Sequence, residues 1–306
     1  MKILVTGGAG FIASHIADAF IEAGHDVVIL DDLSTGSEKN INPKAKFVKM
    51  NIRDEKLKDI FDEEKFEVVN HHAAQMDVRK SVADPAFDAN TNILGTINLL
   101  QNAVKSGVKK FMFASTGGAV YGEQEYFPAD EKHPTNPVSP YGISKLSVEK
   151  YLFFYKNEYN LKHTILRYAN IYGPRQNPFG EAGVVAIFTS KMLNGEQPII
   201  NGTGKQTRDY VFVEDVVKAN LVTLEDEQSD IYNVGTSKET NVIELFRMLN
   251  EIIGKNFEEK HGPQAAGEQM RSVITSDKLF NKFNWKPSTD LYNGLKQTVK
   301  YFKTNL

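Results

Sequence analysis

The chain has 306 residues, 41% of them hydrophobic and 25% charged, with a formal net charge of −3. This is a globular mixture, and its slightly acidic balance argues against the basic footprint of a nucleic-acid binder. Cysteine is absent, which excludes a disulfide framework, a thiolate zinc site, an iron–sulfur cluster and a cysteine nucleophile. The length suits one large domain or two closely packed ones, with a core that needs no covalent staple. No apolar run approaches a membrane span, and the first residues turn glycine-rich too early for a signal peptide. The expectation is a soluble, cytoplasmic protein.

Residues 2–6 read as a short buried strand, after which Ile12, Ile16, Phe20 and Ala23 recur at helical spacing. Residues 27–31 are β-branched and aliphatic and read as a second strand. Further strands are predicted at 47–50, 67–70, 111–114 and 164–168. Ile93, Ile97, Leu100 and Val104 share one face of a crossover helix over 87–104, and another helix is predicted over 145–159. Strands separated by helices imply parallel βαβ units, hence an α/β protein with a doubly wound parallel sheet. After Tyr168, Pro174, Pro178, Gly180, Gly183, Pro198, Gly202 and Gly204 break the rhythm, with one helical stretch near 185–193. This predicts a smaller, loop-rich α/β lobe. Residues 210–224 and 231–234 again look like sheet-and-helix material. The expected division is a first domain over 1–170, rejoined by about 207–235, and a second lobe over 171–306.

The first turn reads TGGAGFIA, with Gly7, Gly8 and Gly10 between a strand and an amphipathic helix. Glycine there permits positive φ and lets a pyrophosphate approach the backbone, while the helix start offers aligned N–H groups. The spacing is G-x-x-G-x-x-A, so Ala13 takes the helix-packing position. Asp31 ends the second strand about 20 residues on, where an acid accepts from ribose hydroxyls and repels a 2′-phosphate. The pattern therefore specifies a Rossmann domain for NAD. Asp32 reads as a loop or cap residue, and residues 33–36 as a turn beside the cofactor or on the surface.

In SPYGISK, Tyr141 and Lys145 are four apart and share a helical face. A nearby ammonium and an oxidised nicotinamide favour the phenolate, converting a weak base into a useful one. Ser115 and Thr116 end a buried strand at the sheet edge where such folds bind ligands. Either hydroxyl there could bond a substrate oxygen as charge develops on it.

These residues, with HHAAQ (71–75), NILGT (92–96), STGGAVYG (115–122), LRYANIYGPRQ (166–176) and RDYVFVEDV (208–216), resemble the extended short-chain dehydrogenases/reductases. The resemblance covers essentially the whole chain and is to the NAD-dependent sugar-nucleotide epimerase/dehydratase group, within it most to the UDP-glucose 4-epimerase branch. It implies that Gly7, Gly10, Phe11 and Ile12 contact the pyrophosphate and Asp31 the adenosine ribose. Asn51, followed by Ile52, stands where the family often has an acid for adenine. Ala73, Ala74 and Gln75 would line the middle of the cofactor, Asn92 would support the sheet near the nicotinamide, and Tyr168 would sit beside that ring. Tyr141 and Lys145 match the family base and its lysine, with Ser115 or Thr116 as third member. Asn170, Val184, Val185, Asn201 and Arg208 fall where relatives contact a UDP-sugar.

Where relatives carry a phosphate-binding arginine before Gly-Asp/Glu, this chain has Ala265 and Ala266 before Gly267 and Glu268; Arg271 is the candidate substitute. Ser272 aligns where some hexose-restricted epimerases carry tyrosine, so N-acetylhexosamines are expected to fit as well. Dehydratases place Asp-Glu after the threonine, and here Gly117, Gly118 and Ala119 follow it; this favours epimerisation through a 4-keto sugar. The alternatives are a sugar-nucleotide reductase, a UDP-uronate 4-epimerase and a catalytically silent nucleotide sensor. Adjacent His71 and His72 point opposite ways and do not chelate, so no metal is expected. The aromatic run 151–155 is assigned to helix core with an outer side facing a partner. A homodimer through the helices that follow Asn92 and Tyr141 is implied by the resemblance. Trp285 is assigned to the second lobe.

Overall fold

The computed structural model describes residues 1–179, 183–264 and 269–305. In its first half, β1 (Lys2–Thr6), α1 (Phe11–Glu22), β2 (Asp26–Asp31), β3 (Lys46–Lys49) and β4 (Val68–His71) fall where the sequence predicts, and a further helix, α2 (Leu57–Glu64), joins β3 to β4. Then α3 (Val78–Ala83) and α4 (Pro85–Ala89) lead through a π-turn, Asn90–Leu94, into α5 (Gly95–Lys105). The crossover predicted over 87–104 is therefore helical throughout but carries one wide turn. Next come β5 (Lys110–Thr116), α6 (Pro140–Tyr159), β6 (Lys162–Tyr168) and β7 (Asn170–Tyr172). The second half holds α7 (Val184–Leu193), β8 (Ile199–Asn201), β9 (Thr207–Arg208), β10 (Tyr210–Phe212) and α8 (Val213–Leu224). It continues with β11 (Asp230–Val234), β12 (Thr240–Asn241), α9 (Val242–Ile253), β13 (Lys260–Gly262), β14 (Arg271–Ser272), α10 (Asp277–Phe283) and α11 (Leu291–Asn305).

Seven parallel strands form the main sheet in the order β11-β6-β5-β4-β1-β2-β3. The central strands β1, β4 and β5 are buried almost throughout because both faces of the sheet are covered, whereas the edge strand β3 is open. Leu4, Val28, Val69 and Phe111 pack beneath α2, α5 and α6, with Phe61, Leu99, Leu100 and Leu152. Their neighbours Ile3, Val5, Ile29 and Met112 turn to the other face, against Ile16 and Phe20 of α1 and Val217 and Leu224 of α8. The chain reverses its winding between β1 and β4, which opens a crevice at their carboxyl ends.

A second core joins α7, α9 and α11 to β7 and β10 through Phe188, Phe212, Phe246, Leu249 and Leu295. Trp285 is not part of it. With Leu279 of α10 it packs on Leu166, Val216 and Tyr232 of the main-sheet layer, and its indole N–H donates to the Asp215 carbonyl at 3.1 Å. An indole needs both an apolar wall and an acceptor; Leu166, Val216 and Tyr232 supply the wall and the start of α8 the acceptor. The aromatic helix run divides: Leu152 and Tyr155 are buried, whereas Tyr151, Phe153, Phe154 and Tyr159 are exposed.

The sheet also buries three histidines in uncharged form. His71 lies between the Thr6 and Thr96 hydroxyls at 2.7 and 2.8 Å. Burial pulls His71 well below its usual value, His72 down to about 3 and His163 down to about 4. Unfolding returns each ring to water, where it binds a proton near pH 6.5, so the unfolded chain takes up protons and acid favours it. This stability is complete above about pH 6.5 and is lost as the pH falls toward the folded values, with about 3 kcal/mol from His163 alone. Denaturant unfolding of wild type and His163→Gln from pH 7 to 4.5 checks this: wild type should lose ground to the variant as acid increases, and a constant gap would contradict it.

Candidate functional site

At the end of β1 the Gly7 backbone has φ +70°, and its N–H donates to the Leu30 carbonyl at 2.8 Å. A Cβ there would lie 2.7 Å from the Ala73 amide nitrogen, so only glycine lets this turn lean on the end of β4. Gly10 precedes α1, and no side chain caps that helix. Its first N–H groups are thus left for an anion, with Phe11 and Ile12 half-buried around them.

Asp31 is buried, and burial pushes its carboxyl up while backbone donors oppose the rise. Its oxygens accept from the Ala9 and Leu33 amides at 3.0 and 2.8 Å. Asp32 accepts from Ser34 and from the Asn51 amide at 2.9 and 2.6 Å. The Asn51 oxygen in turn accepts from Arg53, so both ends of that amide are engaged inside the protein. Ile52 points its side chain into the core, leaving its backbone to meet a ligand.

The loop after β4 is pinned by Asn92, which the π-turn projects toward it. Asn92 exchanges two 2.8 Å hydrogen bonds with the Gln75 backbone. Such wide turns recur where a side chain must be aimed. Beneath the loop, Asn220 donates to the Tyr168 hydroxyl at 2.9 Å, and that hydroxyl lies 3.1 Å from His72 Nε2. Asn220 also donates to the Val216 carbonyl and accepts from Asn70, which fixes its amide. The tyrosine proton is therefore directed at His72 Nε2, and His72 carries its own proton on Nδ1. The reverse tautomer would strand two groups in place of one. His72 Nδ1 is buried with no hydrogen-bond partner among the described residues. Tyr168 is buried and stacked on His72, its hydroxyl pushed up well above the usual tyrosine value by burial.

The catalytic candidates converge from β5 and α6. Ser139 caps α6 by accepting from the Gly142 amide at 3.2 Å, and Pro140 opens the helix. Gly142 fits closely against the Ala119 carbonyl, where a Cβ would come within 2.9 Å. Tyr141 is half-buried, and its backbone N–H donates to Ser81. Lys145 is 4% exposed and donates to the Ala114 carbonyl at 2.8 Å, its ammonium 5.8 Å from the centre of the Tyr141 ring. Burial pulls Lys145 down to about 8, opposed by the charges of Asp88 and Glu149. Ser115 turns into the layer under α6 and donates to Glu149 at 2.6 Å; Glu149 also takes a two-pronged ion pair from Arg167. Thr116, at the strand end, is half-buried and has none of these buried partners.

On the other side of the crevice, Asn170 and Asn201 are exposed and Val184 is half-buried at the start of α7. Val185 is buried in the second core. Arg208 spends one N–H on the Thr207 carbonyl at 2.8 Å and stands in register with buried Ser272. Arg271 is committed elsewhere: it forks onto Glu239 at 2.6–2.9 Å and stacks 3.8 Å over Phe127. It therefore does not stand free to replace an arginine at Ala265, and Ala265, Ala266, Gly267 and Glu268 lie outside the described residues.

Sequence reading passed over Asp88, Glu149, Arg167 and the His72 donor. Asp88 alone left a signal, as the single charge within residues 87–104. Among the described residues no cluster suited to a metal ion is found, and no helix is long and apolar enough to cross a membrane.

The cradle at Gly7 and Gly10 and the acid at Asp31 fit a dinucleotide. Residues 3–235 match the model of the NAD dependent epimerase/dehydratase family. A UDP-glucose 4-epimerase of Mycolicibacterium smegmatis is 42% identical over 309 residues, 99% of each chain. The UDP-glucose 4-epimerase of Thermotoga maritima, solved with UDP-glucose, superposes with a TM-score of 0.98 at 50% identity over 100% of this chain and 99% of that one. The UDP-glucose 4-epimerase of Thermus thermophilus, solved with NAD, gives 0.96 at 41% identity over 100% of both chains. With geometry, family model and full-length likeness in agreement, the chain belongs to the NAD-dependent epimerase/dehydratase family.

Proposed function

We infer that this protein is an NAD-dependent UDP-hexose 4-epimerase that interconverts UDP-glucose and UDP-galactose through a transient 4-keto sugar. The observation that carries the reading is the Tyr141–Lys145 pair at the carboxyl edge of the sheet, followed across the site by Gly117, Gly118 and Ala119, which have no side chain able to move a proton. A dehydratase needs an acid and a base there; an epimerase needs neither. The relatives named as UDP-glucose 4-epimerases support the same choice over a cofactor-releasing reductase, a silent sensor or an enzyme for uronic acids.

In this reading Gly7, Gly10, Phe11 and Ile12 hold the pyrophosphate of NAD, and Asp31 holds its adenosine ribose. Backbone at Asn51 and Ile52 borders the adenine, while Ala73, Ala74, Gln75, Asn92 and the His72–Tyr168 layer border the remainder. Bound NAD supplies a hydride acceptor at the sugar C4 and gives the hydride back. Tyr141, as phenolate, takes the proton of the 4-hydroxyl, and Lys145 favours that phenolate by its charge. Thr116 bonds the same sugar oxygen, since Ser115 is turned to Glu149. Arg208 pairs with the diphosphate, with Asn170, Val184, the backbone at Val185, and Asn201 around the nucleotide. A nucleotide held firmly leaves the keto sugar able to present its opposite face before the proton and hydride return.

Residues 1–170, rejoined by 207–235, form the cofactor unit, and the rest of 171–306 the sugar-nucleotide lobe, apart from the segment ending at Trp285. The exposed row Tyr151, Phe153, Phe154 and Tyr159 on α6 is the face for a homodimer. Absence of cysteine accords with a cytoplasmic place. The small Ser272, in register with Arg208, stands where the resemblance places a tyrosine in hexose-restricted relatives, so UDP-N-acetylhexosamines are proposed as substrates too.

Proton NMR of the anomeric signals, with purified protein and no added NAD, tests the activity. UDP-galactose should convert to UDP-glucose, and Tyr141→Phe should lower the rate by about 10²–10⁴-fold; no conversion even with NAD added would reject the reading. Ser272→Tyr should abolish turnover of UDP-N-acetylgalactosamine while UDP-galactose is still converted. Equal loss on both sugars would remove Ser272 as the selector.

A further inference from the structure

Asp88 on α4 is 0% exposed, yet its carboxylate forms no ion pair closer than 4 Å among the described residues. One oxygen accepts from the Gln75 and Asn92 amides at 3.0 Å each, and the other from the Ser144 hydroxyl at 2.6 Å. All three donors are neutral. A buried carboxylate with neutral donors alone is expensive, and a charge so placed requires a cation within range.

The surroundings identify that cation. Around Lys145 stand Tyr141 and Glu149 from its own helix, and uncharged His71 and His72 from β4 and its end. From β5 it meets only the Ala114 carbonyl and the Phe113 ring. Glu149 is already neutralised by Arg167 in a pair buried on both sides. Lys145 is left without an anion of its own, and Asp88 without a cation. Ser144, which binds Asp88, is the residue next to Lys145 in α6.

We propose that Asp88 is the counter-charge of Lys145, a positioning residue whose buried carboxylate keeps Lys145 as the ammonium and ties the Tyr141–Lys145 pair to the cofactor loop through Gln75 and Asn92. The working form holds Tyr141 as phenolate and Lys145 as ammonium. An anion beside the pair raises the midpoints of both groups, which protects the ammonium against loss in alkali. The same carboxylate holds the Gln75 and Asn92 side chains that pin residues 75–77, so the loop and the base are tied together. This proposal rests on the epimerase reading for its kinetic consequence but not for its electrostatic one.

Asp88→Asn removes the charge while keeping the shape, since the Ser144 hydroxyl can accept from the new amide. The phenolate absorbance of Tyr141, taken as the difference between each protein and its Tyr141→Phe partner, should titrate about one pH unit lower in Asp88→Asn. Both limbs of the pH–rate profile should move the same way. Ser144→Ala, which loses a hydrogen bond but keeps the carboxylate, should leave the midpoint where it is. An unchanged midpoint in Asp88→Asn, or an equal fall in Ser144→Ala, would overturn the proposal. If Asp88→Asn alone does not fold, the double variant with Lys145→Met decides: recovery of folding supports a matched charge pair, and no recovery overturns it. An inactive wild type would defeat the epimerase reading while the absorbance titration still answers for Asp88.

Discussion

Lys145 is a cation placed where water does not reach, and much of the crevice is arranged around that fact. The cost of burying an ammonium is met by one carbonyl, two aromatic faces and charges held one residue layer away. Carboxylates in direct contact would stabilise the lysine more, but they would also cancel the field that draws a proton off Tyr141. With Glu149 tied up by Arg167, Lys145 makes no ion pair closer than 4 Å among the described residues, and in the proposed mechanism its charge is left to act on Tyr141.

The main sheet makes this geometry reproducible. Ala114 and Ser115 belong to a fully buried strand in seven-residue register with β6, so the carbonyl that receives Lys145 cannot drift. Helix α6 is fixed at its start by Ser139, Pro140 and the close fit of Gly142 on Ala119. The second core, built on α7, α9 and α11, is separate from the sheet cores and holds the Arg208 and Ser272 side of the crevice. In the function proposed above, cofactor and sugar nucleotide would meet between these separately packed cores, a frequent place for ligands.

The glycine turn, Asp31 and the Tyr141–Lys145 helix were legible from sequence because each is local: a spacing, a strand end, one helical face. The doubly wound parallel sheet followed from the alternation of strands and helices, while its strand order became visible only in the fold. What stayed hidden depends on partners distant in the chain. Ser115 and Thr116 look equivalent until Glu149, 34 residues away, claims the serine. Arg271 looks free until Glu239 is seen to hold it. Asp88 has the composition of an ordinary helix acid, and its meaning comes from Gln75, Asn92 and Ser144, which only folding brings together. Trp285 went to the wrong lobe for the same reason, since its acceptor is a backbone carbonyl 70 residues before it.

The central claim is that the hydrogen leaving C4 comes back to C4 within one closed site. UDP-galactose carrying deuterium at C4, turned over in ordinary water, puts this to the test by mass spectrometry and proton NMR of the product. The account predicts UDP-glucose that keeps the deuterium at C4, with none released to solvent. Product bearing ordinary hydrogen at C4 would mean proton exchange in place of hydride return, and would contradict the mechanism assigned to Tyr141 and Lys145.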